Sequence, residues 1–152
     1  MDILTLTESP FATDDDVRTL LTAFHETLLP RSAWNHRAHM SVALSFGRAL
    51  PADQALNAMR VGILKFNESV GIVSTPDVGY HETITSFYID VITLRVVANP
   101  APHSLAHDAN SLMDVWGRPD LPLDFWSREL LFSRDARARW VAPDRHALPD
   151  AP

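Results

Sequence analysis

Apolar residues recur along most of this chain at intervals of three and four, and the breaks fall at prolines, glycines and capping residues. That period is the signature of helices with one buried face. Thr13 is placed as an N-cap, with Asp14, Asp15 and Asp16 in the first turn and Asp16 at the capping-box position. Val17, Leu20, Leu21, Phe24 and Leu28 continue one stripe as far as Pro30. Ser32 is positioned to cap a second helix that runs to about Leu50. Pro51 opens a third at its first turn, with Leu56, Met59, Ile63, Phe66 and Val70 as its stripe and Gly71 as its end. Thr75 and Pro76 then predict the N-cap and first turn of a long fourth helix reaching Val97. Its Ile, Val, Thr, Phe and Tyr would suit a strand. A run of roughly twenty residues without a break instead predicts a helix buried on most sides.

Asn99-Pro-Ala-Pro102 breaks that helix. Ser104 to Trp116 predicts a fifth helix ending at Gly117, Asp120 to Phe132 a sixth, and Ser133 a cap for a short last one to Val141. Residues 1–12 and 143–152 read as peripheral. The expected fold is all-α: a single helical domain over 1–152, a bundle of four main helices with a smaller C-terminal helical part. Leu56, Ile63, Phe66, Phe87, Val91 and Leu94 are the expected core.

Composition narrows the chemistry. With 152 residues the chain is long enough for one proper core. It has no cysteine, which excludes disulfides, thiolate metal sites and a cysteine nucleophile and fits a cytoplasmic location. The start MDILTLTESP has no basic region followed by an apolar run, and no stretch approaches a membrane span, so neither a signal peptide nor a membrane partner is expected. The net charge of −6, without a large basic cluster, makes nucleic acid an unexpected partner. The oligomeric state is left open, a homodimer included.

The candidate chemistry lies in the histidines. His36 and His39 stand three residues apart in the second helix. His39 falls mid-stripe with Ala43, Phe46 and Leu50, and His36 towards one side of that stripe. Buried imidazoles need partners for both nitrogens. His81, near the start of the fourth helix, shares a stripe with Thr85, Tyr88 and Ile92, whereas Glu82 lies on a more polar side with Ser86 and Thr93. Asn67 falls between Ile63 and Arg60 on the third helix, an amide in an apolar stripe. Three inward histidines from two helices match the way bundles build metal sites. His36, His39 and His81 are therefore the expected ligands of a divalent metal, Zn with an open fourth position, or Fe if Glu82 contributes. Glu82 and Tyr88 are the expected catalytic groups, and Arg60 and Asn67 the expected substrate contacts. His25 is a candidate fourth ligand. His103 and His107 read as a solvated pair, His146 as tail, and the four tryptophans as core or rim.

Trp34-x-His36-x-x-His39 followed by Tyr80-His81-Glu82-Thr83 resembles a pattern of small bacterial helical proteins, to which no activity attaches. In architecture the chain is similar to the DinB/YfiT-like bundles, and that resemblance implies a metal held by three histidines from separate helices. In those bundles two ligands stand at i, i+4 late in the chain, whereas here the close pair is i, i+3 and early. The leading expectation is a small helical enzyme with a mononuclear metal, performing hydrolytic, transfer or lyase chemistry on a small polar molecule. A metal-free His/Glu acid–base enzyme and a non-catalytic ligand-binding bundle are the alternatives.

Overall fold

The computed structural model describes residues 2–98 and 103–149, apart from the side chain of Val97. The break expected at Asn99–Pro102 and the last residues of the tail lie outside the described residues. Helix, 3₁₀ turns included, accounts for 62% of the described residues, and the fold is all-α. The elements are α1 (Asp14–His25), α2 (His36–Ala49), α3 (Ala52–Ser69), α4 (Glu82–Ala98), α5 (Leu105–Trp116), α6 (Arg128–Leu131) and α7 (Arg134–Ala138). Short 3₁₀ turns at Arg31–Ala33 and Leu121–Asp124 join some of them. Among the described residues, no helix is long and apolar enough to cross a membrane.

Local chemistry accounts for most boundaries. Thr13 and Asp16 form a reciprocal capping box at α1, and Ser104, Ser127 and Ser133 cap α5, α6 and α7 through their hydroxyls. α1 stops at His25, leaving Leu28 exposed, and α7 stops at Ala138, short of Val141; three further boundaries differ from expectation. Asn35, not Ser32, caps α2: its Oδ1 accepts from the Ala38 amide, while its Nδ2 donates to the carbonyl and hydroxyl of Thr7. Ser32 is taken up in the 3₁₀ turn instead. Helix α4 begins at Glu82 instead of Pro76, because the Thr75 hydroxyl closes a turn on the amides of Asp77 and Val78 and Gly79 adopts φ +97°. The segment expected as one helix from Asp120 to Phe132 is a 3₁₀ turn and α6, since Ser127 restarts the helix.

α4 is the centre of the packing. It lies against α2, α3, α5 and α7, and Thr83, Phe87, Tyr88, Ile89, Val91 and Ile92 are all buried. Gly47 on α2 lets the two helices meet closely: a Cβ there would lie 2.8 Å from Ile92 Cγ2. Ile63, Phe66, Phe87 and Val91 are in the core as expected, whereas Leu56 and Leu94 are only half-buried at its edge. The C-terminal part closes the start of α4, with Trp126 fully buried edge-on to Phe87 and its indole N–H donating to the Val141 carbonyl.

The two ends are less peripheral than expected. Leu6 and Phe11 are buried, and the Thr7 hydroxyl donates to the Ala33 carbonyl. Asp144 accepts from the amide and hydroxyl of Ser127, and the Arg145 amide donates to the Phe125 carbonyl.

One strained position stands out. Helix α1 ends in a Schellman arrangement, with the Leu28 amide on the Ala23 carbonyl and the Thr27 amide on the Phe24 carbonyl. This puts Thr27 at φ +56°, a left-handed conformation that β-branched residues resist. Thr27→Gly is expected to stabilise the protein by about 0.5–1 kcal/mol, because relief of that clash outweighs glycine's greater unfolded entropy. Urea unfolding measures it, and an unchanged or lower midpoint would count against strain at this turn.

Candidate functional site

The N-terminus of α2 carries the site because Asn35 fixes where the helix begins. Capping at Asn35 makes His36 the first helical residue and places His39 one turn on. His39 Nδ1 donates to the Asn35 carbonyl at 2.8 Å, which selects the tautomer with a bare Nε2 lone pair. The Trp34 ring lies against the His39 imidazole, centroids 3.8 Å apart, and is backed by Phe24 at 4.8 Å. His39 is thus held both in plane and in protonation pattern by its immediate neighbours.

His36 is held differently. Its ring meets Tyr88 of α4 edge-on at 5.2 Å. Its Nε2 is buried, and no described residue gives it a hydrogen bond. Buried polar atoms are nearly always satisfied, so this nitrogen marks a place where a ligand or water belongs. Both histidines line a cavity of about 290 Å³ between α2, α3 and α4, at the small end of ligand cavities (~300–1,000 Å³). Met40, Ala43, Met59, Ile63 and Ile84 supply an apolar wall, and Thr85 and Tyr88 its hydroxyls. The Tyr88 phenol, nominated from the sequence, does face this cavity; its hydroxyl donates to the Arg118 carbonyl at 3.3 Å.

The electrostatics follow from burial. Desolvation lowers the pKa of His36. It pushes that of His39 down to about 4, against the bond to the Asn35 carbonyl and aided slightly by His36. Both imidazoles are neutral at pH 7. Desolvation, then the Asp120 charge, raises the Tyr88 phenol, which stays protonated.

The remaining nominated residues are placed elsewhere. His81 does not join His36 and His39, which corrects the expected three-histidine set. Its Nδ1 accepts from the Ile84 amide at 3.2 Å, in the manner of a helix cap, and its Nε2 donates to the Leu131 carbonyl at 2.7 Å. Neither nitrogen has a lone pair left for a metal. Glu82 is likewise engaged: both its oxygens accept from Arg60, and Tyr80 donates to Oε2 at 2.6 Å. Burial opposes its ionisation, but Arg60 and Tyr80 outweigh that and hold its pKa below the usual carboxylate range. The bond to Glu82 in turn raises the pKa of Arg60, so Arg60 is a fixed partner of Glu82 and not a free substrate contact. Neither lines the cavity, and nor does Asn67, which is buried at the far end of α3. His25 is exposed, edge-on to Phe24 and Phe46, and does not line the cavity.

Among the described residues, no group of three or more His, Asp or Glu is arranged to hold a metal ion. A catalytic zinc needs three protein ligands, and the cavity supplies two imidazoles, so the donor set does not fit one. Trp34 and Asn35, which build the site, were absent from the expected set. The signal that could have found Asn35 is its residue type, since asparagine is as good an N-cap as serine; no local signal gives the stacking of Trp34 on His39. Comparison of the chain with protein-family models, curated proteins and solved structures finds no match.

The His39 of the unfolded chain titrates near 6.5 and that of the fold near 4, so between those values the unfolded chain binds the extra proton. Its contribution to stability is therefore complete above about pH 6.5 and is lost as pH falls towards 4. In His39→Asn the amide keeps the bond to the Asn35 carbonyl but cannot titrate. The drop in unfolding free energy between about pH 7 and 4.5 should be smaller than in the unaltered protein; equal drops would show a solvated His39. His81→Ala removes a cap and a buried bond and is expected to cost about 1–3 kcal/mol, with no change in what the α2–α4 cavity binds. Calorimetry with a cavity ligand reads both effects.

Proposed function

We propose that this protein is a small helical enzyme that binds a small molecule between α2, α3 and α4 and moves a proton through His36. The observation that carries the reading is the buried His36 Nε2 without a partner, beside a second imidazole whose Nε2 lone pair is also uncommitted. The two histidines divide the work by their environments. His39, driven to about 4, is a poor base at neutral pH and acts as a fixed hydrogen-bond acceptor that orients the substrate. His36, whose buried Nε2 has no partner, is the group that takes up and returns the proton. Tyr88 and Thr85 border the reacting atoms, and the Met and Ile wall keeps water away from them. The Arg60–Glu82–Tyr80 cluster holds α3 to the start of α4 and takes no proton from substrate.

This reading is metal-free, and it rests on the commitment of His81 to the backbone and of Glu82 to Arg60. It leaves a divalent metal, zinc or iron, without a third protein ligand in the cavity.

Hydrogen–deuterium exchange tests the proposal. The protein is incubated in deuterated water with a panel of small uncharged hydroxyketones and hydroxyamides, whose C–H protons next to the carbonyl exchange by base catalysis, and exchange or turnover is followed by proton NMR. His36→Gln is expected to lower the rate at least about 100-fold, the usual share of a general base. His103→Ala and His107→Ala should leave it unchanged, as should a chelator. A His36→Gln variant as active as the parent would end the reading, and activity lost to chelator and restored by Zn²⁺ would replace it with a metal mechanism.

A further inference from the structure

Most polar groups of the cavity have their protons already assigned, and that constrains what fits. His39 spends its N–H on the Asn35 carbonyl, so its Nε2 can only accept. The Thr85 hydroxyl donates to the His81 carbonyl at 2.8 Å, and the Tyr88 hydroxyl to the Arg118 carbonyl at 3.3 Å. Both oxygens present lone pairs to anything else. The Asn35 amide is used at both ends. The donors left in the lining are the Trp34 indole N–H and one proton on His36.

None of the described residues lining the cavity is Asp, Glu, Lys or Arg. The guanidinium of Arg60 is taken by Glu82. A carboxylate or phosphate entering here would lose its hydration and meet no counter-charge. A permanent cation would find no carboxylate. A ketone would leave the His39 acceptor buried and unsatisfied. The five aliphatic wall residues favour a compact hydrocarbon body.

We infer that the cavity takes a small uncharged hydroxyl or amino compound, which donates its O–H or N–H to His39 Nε2 and packs its hydrocarbon part on Met40, Met59, Ile63 and Ile84. This rests on the reading of the cavity as the binding site. In that pose the donated O–H or N–H is the bond His39 recognises, and the neighbouring His36 is within the same cavity to act on the molecule it holds.

Four probes of nearly one shape test this on the full chain: cyclohexanol, cyclohexanone, cyclohexanecarboxylate and methylcyclohexane. Binding is followed through the imidazole ¹⁵N resonances of His36 and His39. The expected result is that cyclohexanol shifts the His39 Nε2 resonance and binds at least about 10-fold tighter than the other three, the value of one satisfied buried hydrogen bond. His39→Ala should erase that preference. Because the resonances are read first in the unaltered protein, the test does not depend on the variant folding. Ketone or carboxylate binding as tightly as the alcohol overturns the inference and leaves the cavity reading standing. Methylcyclohexane binding equally well does the same, by showing an apolar cavity without hydrogen-bond selection. If none of the four perturbs His36 or His39, the inference and the cavity reading fall together.

Discussion

Helix α4 turns only a narrow polar edge to water, around the exposed Asp90. Phe87, Ile89, Val91 and Ile92 point in different directions around its axis and are all buried, so the helix is stable only if other elements enclose it. α2 and α3 cover two sides, α5 a third, and the C-terminal segment covers its first turns through α7. The short C-terminal elements are therefore structural: they close the part of α4 that the longer helices leave open. The Thr83 hydroxyl, buried at that end, donates to the Arg139 carbonyl and accepts from the Val141 amide, which ties the closure down.

The same constraint explains why two histidines at the start of adjacent helices behave so differently. His81 lies where α4 meets α6, and there the backbone offers an orphan amide on one side and a carbonyl on the other. Both nitrogens are satisfied and the residue becomes a lock between elements. His36 lies where α2 faces the middle of α4, against the ring of Tyr88, where no described backbone group reaches its Nε2. A fold that satisfies one buried imidazole completely and leaves its neighbour's nitrogen bare has spent stability at the second position, which is the usual mark of a functional site.

Charge is handled with the same economy. Glu82 is mostly buried, with its side chain 14% exposed, and Arg60 more open at 36%. A pair this exposed contributes little by itself. Its effect is geometric, since it joins α3 to the start of α4 and, through Tyr80, fixes the loop leading into that helix. With both carboxylate oxygens committed there, the cavity is left without charge.

What the sequence determined by itself was periodicity and capping. The stripe of α3, the Thr13 capping box and the Ser133 cap of α7 depend on residues within a few positions of one another, so local spacing was enough to read them. The all-α class and the enclosure of α4 follow from the same local signals. The partners of each polar group were decided by the tertiary structure. Asn35 prevails over Ser32 because Thr7, far away in sequence, takes its amide. His81 leaves the metal set because the Leu131 carbonyl, fifty residues on, reaches its Nε2. Both oxygens of Glu82 are taken by Arg60 on another helix. A helical wheel shows which way a side chain points, but a hydrogen bond needs an atom within about 3 Å, and which atom that is depends on how whole helices come to rest against each other.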